Sequence, residues 1–186
     1  MKLKKILEYS LDALLFIVVL FWSYYLFTHD PRTLIENIGT HNGYILAFGG
    51  SFLSGLTFIA VAVYPTVVAL ALGGLNPLLT GILAGMGLTA ANLVFFYLGT
   101  KGHQITHEQA RHTKFAKTKK KFSKWLHTHP EWVTTILIWA YVGLTPFPNN
   151  FLTASSGFVA FSYKRLFMPL LMGNISLMTA LAYLAV

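Results

Sequence analysis

The sequence predicts an all-α polytopic membrane protein: an inverted repeat of a re-entrant helical hairpin plus a transmembrane helix, with an additional N-terminal transmembrane helix. Three observations carry this expectation. Residues 37–100 run for 64 positions, and residues 132–163 for 32, without one Asp, Glu, Lys or Arg. Both stretches are broken by Pro and Gly, and irregular backbone persists inside a bilayer only where it is buried in protein or lines a polar cavity. The basic residues, finally, are gathered into short segments beside the apolar spans, the pattern that sets membrane orientation.

With 55% apolar and 11% charged residues, the 186-residue chain reads as a single membrane domain and not a soluble one. The absence of cysteine excludes disulfides and thiolate metal sites. A net charge of +8 would suit nucleic acid, but the charge flanks apolar spans and no recognisable reading module accompanies it, so no nucleic-acid partner is expected.

The elements follow in order. Lys2, Lys4 and Lys5 precede an apolar, Trp/Tyr-rich span at residues 11–27 that is followed by no small-x-small cleavage site. It reads as a retained first helix with the N-terminus in the cytoplasm. Residues 29–43 then lie outside, with Arg32 as their only Lys or Arg. Eight basic residues between Lys101 and Lys124 hold that loop inside, and Lys164 and Arg165 do the same further on. Thirteen positive charges inside against one outside fix the orientation.

Residues 44–98 therefore cross an odd number of times, and three full crossings do not fit. They divide into a re-entrant hairpin at 44–74, turning at Pro65, and a span at 77–98. The basic loop at 101–131 spaces Phe115, Phe122, Trp125 and Leu126 among lysines, as an amphipathic helix on the inner leaflet would. Residues 132–163 start and end inside. Two crossings need roughly 40 residues, so this segment returns part-way, turning at Pro146 and Pro148. A last span at 166–186 ends outside, with Pro169 in its first turn, where a missing N–H is tolerated. Pro65 and Gly74 stand nine apart, as do Pro148 and Gly157, a faint internal echo of the kind that broken-helix transporters carry.

The stretch Tyr97-Leu-Gly-Thr-Lys-Gly102 resembles the Tyr-x-x-Gly-[Arg/Lys]-x-Gly signature of the DedA, or VTT (SNARE-associated), membrane family. Tyr64-Pro65 leading to Leu72-Gly-Gly-Leu75 is similar to that family's first re-entrant loop. Leu144-Thr-Pro-Phe-Pro-Asn-Asn-Phe-Leu152, followed by Ser155-Ser-Gly157 and Phe167, is similar to the second, resembling its Pro-x-x-Pro-Asn form with one residue fewer between the prolines. The resemblance covers roughly residues 43–186. It implies two opposed re-entrant hairpins and lipid movement: bacterial members are linked to returning undecaprenyl phosphate, and eukaryotic members scramble glycerophospholipids. The chain departs from the family's charges. An acidic residue is expected after the first-hairpin proline, where Thr66, Val67 and Val68 stand. Arginines are expected three residues either side of the second-hairpin proline, where Gly143 and Asn149 stand. Proton coupling through a mid-membrane carboxylate is therefore not expected.

Without intramembrane charges, polar neutral groups and backbone must serve. The candidate lipid-binding or transport residues are Pro65, Thr66, Gly74, Pro146, Pro148, Asn149, Asn150 and Gly157. Asn149 and Asn150 offer amide donors to a phosphate beside half-helix N-termini; their plainer reading is as caps. Lys101, Lys164 and Arg165 form a head-group rim, or serve only as positive-inside anchors. Asn92 and Asn174 lie within spans and read as interhelical hydrogen-bonding residues. Gly49-Gly50, Ser54-Gly55 and the Gly81/Gly85 pair put small residues at helical spacing for close packing, within one chain or across a homo-oligomer interface. His103 and His107 share a helical spacing with Glu108 adjacent, but lack a further fixed ligand, so they read as a chance pair. No catalytic residue, metal or cofactor is expected, because no nucleophile–base pair or carboxylate cluster is present.

The expected function is movement of phosphate-bearing lipids, polyprenyl phosphate or glycerophospholipid, between leaflets through a groove between the hairpins, without proton coupling. The alternative is a non-transporting assembly or binding subunit that has lost the family's charges. Anionic or phosphate-bearing membrane lipids are the expected partners. The expected location is a prokaryotic plasma membrane, with the C-terminus outside.

Overall fold

The computed structural model describes residues 17, 21, 24–26, 28–57, 63–109, 130–145 and 149–186, with side chains for all but 105–109. Most of the expected first span, the amphipathic stretch around Phe115–Leu126, and both Pro146 and Pro148 lie outside the described residues. Among the described residues the fold is all-α, in seven helices: α1 Pro31–Ile38, α2 Thr40–Leu56, α3 Val63–Leu72, α4 Pro77–Gln109, α5 Glu131–Leu144, α6 Asn149–Phe158 and α7 Tyr163–Leu184. Two, α4 and α7, are long and apolar enough to cross a membrane.

Local chemistry explains the boundaries. Asp30 caps α1 by accepting from the Arg32 N–H at 3.0 Å, with Pro31 at the first helical position. Helices α2 and α5 both stop at Gly-Leu-Thr, in Gly55-Leu56-Thr57 and Gly143-Leu144-Thr145. Each Thr is extended, and its hydroxyl donates back into the last turn, Thr57 to Ser54 O at 2.7 Å and Thr145 to Tyr141 O. Helices α3 and α6 end alike as well. Gly74 (φ 98) and Ala160 (φ 57) adopt the left-handed conformation, while Leu75 N–H reaches Leu70 O at 3.2 Å and Phe161 N–H reaches Ser156 O at 2.9 Å. These are Schellman closures with a buried apolar residue just beyond.

The layout has two ends. At the first, Tyr44 near the start of α2 accepts from Asn76 N–H at 3.2 Å, so α2 begins where α3 ends and α4 starts. At the second, Glu131 in the first turn of α5 pairs with Arg165 in the first turn of α7. There too, His103 Nδ1 on α4 lies 2.6 Å from the carbonyl of Phe158, at the end of α6. Helices α2 and α6 pack on α4, α5 and α3 pack on α7, and α4 and α7 pack on each other. Helices α2 and α5 thus lie on the long helix that comes next in the chain, α4 and α7 respectively, while α3 and α6 lie on the other long helix. The central core gathers Val63, Val67, Ala84, Leu88, Met178 and Ala182 from α3, α4 and α7.

Three sequence expectations are adjusted. Pro65 lies inside α3, so the first chain break falls upstream, after Thr57. The first long helix runs beyond residue 98 to Gln109. The last helix starts at Tyr163, which puts Pro169 two turns inside it, lacking an N–H for the Arg165 carbonyl. Leu72 and Phe158, Gly74 and Ala160, and Pro77 and Tyr163 are each 86 positions apart, whereas Pro65 and Pro148 are 83 apart.

Candidate functional site

Helix α6 keeps most of its polar side chains inside. On α6, Asn149, Asn150, Thr153 and Ser156 are buried while Phe151 is exposed, the arrangement expected of a helix with protein on one side and lipid on the other. Burial against protein brings its two amides to separate partners. Asn149 Nδ2 donates to Asn174 Oδ1 at 3.0 Å, and Asn174 Nδ2 donates to Thr89 Oγ1 at 3.0 Å. The Thr89 hydroxyl donates in turn to Gly85 O at 2.7 Å. One hydrogen-bonded chain therefore ties α6 to α7 and α7 to α4.

Asn150 points the other way. Its Nδ2 donates to Gly55 O at 3.1 Å and to Thr57 O at 3.2 Å, closing the broken end of α2. A helix end leaves four carbonyls without intrahelical partners, and here one amide from the other half of the chain satisfies two of these late carbonyl positions. Among the described residues, two further buried amide atoms have no partner, Asn149 Oδ1 and Asn92 Nδ2. Asn92 lies one turn beyond Thr89 on α4. Two hydroxyls near the α4–α7 crossing, Thr80 and Thr179, are likewise buried without a partner.

Glycines set how closely the elements approach. A Cβ on Gly55 would sit 2.7 Å from that of Ala91, and one on Gly85 would sit 2.6 Å from the backbone of Ile175. Gly157, a candidate transport residue, instead seats α6 on α4: its Cβ would lie 2.9 Å from Thr100 N. Gly99 faces Ala154 across the same contact. Gly81 and Gly85 thus do pack closely as expected, whereas among the described residues Gly49 meets nothing within 4 Å and Gly50 only the side chain of Leu46.

The rim residues divide. Arg165 is engaged by Glu131. Lys101 Nζ sits 5.5 Å over the Tyr97 ring, and Lys164 is exposed. His103 contacts the end of α6, and His107 has no described side chain. Among the described residues, no group of three or more His, Cys, Asp or Glu converges to hold a metal ion. At the first end a cavity of about 640 Å³ is lined by Arg32, Glu36, Thr40, Gly73 and Val186, among others. Thr66 is buried on α3, and Pro65 is half-buried there. Neither Thr89 nor the Gly55 and Thr57 carbonyls was singled out by the sequence, and Gly-Leu-Thr alone would not have found the break, since Gly87-Leu88-Thr89 lies inside unbroken α4.

The chain is a membrane-associated helical protein; among the described residues two helices are of membrane length, and large apolar side chains point outward along them, including Leu78, Met86, Leu98, Met168 and Met172. Comparison with protein-family models, with curated proteins and with solved structures returned no match.

Proposed function

We propose that this protein binds lipid or a protein partner within the bilayer on two opposed re-entrant hairpins, without coupling to an ion or proton. Helix lengths support the hairpins. At 1.5 Å per residue, α2 and α5 reach only about 25 and 21 Å, short of a hydrocarbon core of about 30 Å. The shared ends described above, and the 86-residue register, agree with hairpins entered from opposite faces.

The observation that carries the reading is the fate of the polar groups between the hairpins. Asn149, Asn150, Asn174 and Thr89 are engaged with one another or with backbone, as expected of a closed structural junction. This favours a binding or assembly role.

A second reading, movement of phosphate-bearing lipids, is favoured by the two orphaned amide atoms, Asn149 Oδ1 and Asn92 Nδ2, at that junction. The motif resemblance to the DedA/VTT family adds to it. Reconstitution decides between them. A fluorescent glycerophospholipid and a fluorescent polyprenyl phosphate are each placed in both leaflets and quenched by an impermeant reductant, without any ion gradient. Signal loss stopping at half for both lipids supports the binding role. Loss well beyond half for either one overturns it in favour of passive transport.

A further inference from the structure

The broken end of α2 is occupied in an unusual way. Carbonyls at a helix C-terminus carry partial negative charge and lack intrahelical donors. In broken-helix carriers, such carbonyl ends are where a coupling cation is held. Here the Gly55 and Thr57 carbonyls converge on one nitrogen, Asn150 Nδ2, at 3.1 and 3.2 Å. The donor comes from 95 and 93 residues away, and Asn150 is 2% exposed. A primary amide carries two N–H donors, so one nitrogen serves both oxygens, as a bound ion would, but without charge.

We infer that the Asn150 amide fills a latent monovalent-cation site formed by the Gly55 and Thr57 carbonyls, so that this junction is closed without any ion. Changing the amide to a carboxylate removes the two donors and supplies oxygen ligands beside the two carbonyls. That is a hard-oxygen set suited to a small hard cation. Asn150→Asp therefore converts an ion-independent junction into a sodium-dependent one. The inference does not depend on whether lipid moves, because its readout is stability and not transport.

The test is the thermal unfolding midpoint of the full chain in detergent at pH 8, titrated with sodium chloride against choline chloride at matched ionic strength. The wild-type midpoint is expected to be the same in both salts. Asn150→Asp is expected to lie roughly 5 °C or more below wild type in choline and to recover at least half of that in sodium. A wild-type response to sodium over choline overturns the inference, since the carbonyls would then be open to ions despite the amide. It is equally overturned if folded Asn150→Asp matches wild type in choline, or is lower but indifferent to sodium. If that variant cannot be recovered folded, Asn150→Ala decides. It leaves both carbonyls bare beside a side-chain-sized space: sodium-specific stabilisation supports the inference, and a flat titration overturns it.

Discussion

Replacing Gly157 with Ala should loosen the α4–α6 contact, and the geometry sets the size of the effect. The added Cβ would stand 2.9 Å from Thr100 N and 3.0 Å from the Phe96 carbonyl carbon, and closer still to that carbonyl's oxygen. Ordinary carbon contacts need about 3.5–4.0 Å, so α6 must retreat by roughly 1 Å. The opposing atoms belong to the backbone of α4 and cannot rotate away. Overpacking of this kind costs about 1–3 kcal/mol, against a helix-propensity gain of up to about 1 kcal/mol for Ala over Gly. Gly49 supplies the control, because among the described residues nothing lies within 4 Å of its Cβ position. Gly49→Ala should keep the propensity gain and carry no clash. In thermal unfolding of the purified protein the two variants should differ by roughly 5–10 °C, with Gly157→Ala below wild type. Gly99 faces Ala154 in the same contact, so Gly99→Ala combined with Gly157→Ala should cost less than the sum of the two. A Gly157→Ala protein as stable as wild type would refute the close-contact reasoning for this helix pair.

The polar junction makes further predictions. Asn174→Leu removes the acceptor for Asn149 and the donor to Thr89, and should cost about 2–4 kcal/mol by denaturant or thermal unfolding. Asn92→Leu removes an amide whose nitrogen has no partner and should be nearly neutral or stabilising in the same assay; a loss as large as that of Asn174→Leu would mean Asn92 is engaged after all. Glu131→Gln removes the ion pair to Arg165, whose two side chains are 67% and 34% exposed, so stability should fall by less than about 1 kcal/mol.

The all-α, membrane-associated class was legible in one dimension. The two charge-free stretches, the thirteen-to-one charge asymmetry and the shortage of residues for full crossings are arithmetic on the sequence. Bilayer thickness is fixed, so such arithmetic converts directly into lengths. The first break was misplaced where Pro65 was taken for it; Pro146 and Pro148 lie outside the described residues. Pro65 lies inside α3, and α2 stops before it at Gly55-Leu56-Thr57.

Tertiary structure alone decided what the polar side chains do. Asn149, Asn150, Asn92 and Asn174 look alike in the sequence, four neutral amides in apolar surroundings. Their fates separate because a hydrogen bond needs a partner within about 3 Å, and those partners arrive from other helices. Asn149 meets Asn174 from 25 residues away, and Asn174 meets Thr89 from 85. Asn150 reaches backbone carbonyls 93 and 95 residues back, while the Asn92 nitrogen meets no partner. The sequence by itself determined that these groups sit in apolar segments; only the crossing of the two halves decided which of them are joined. The same division holds for glycine, since Gly49 and Gly157 differ in nothing but what another helix brings against them.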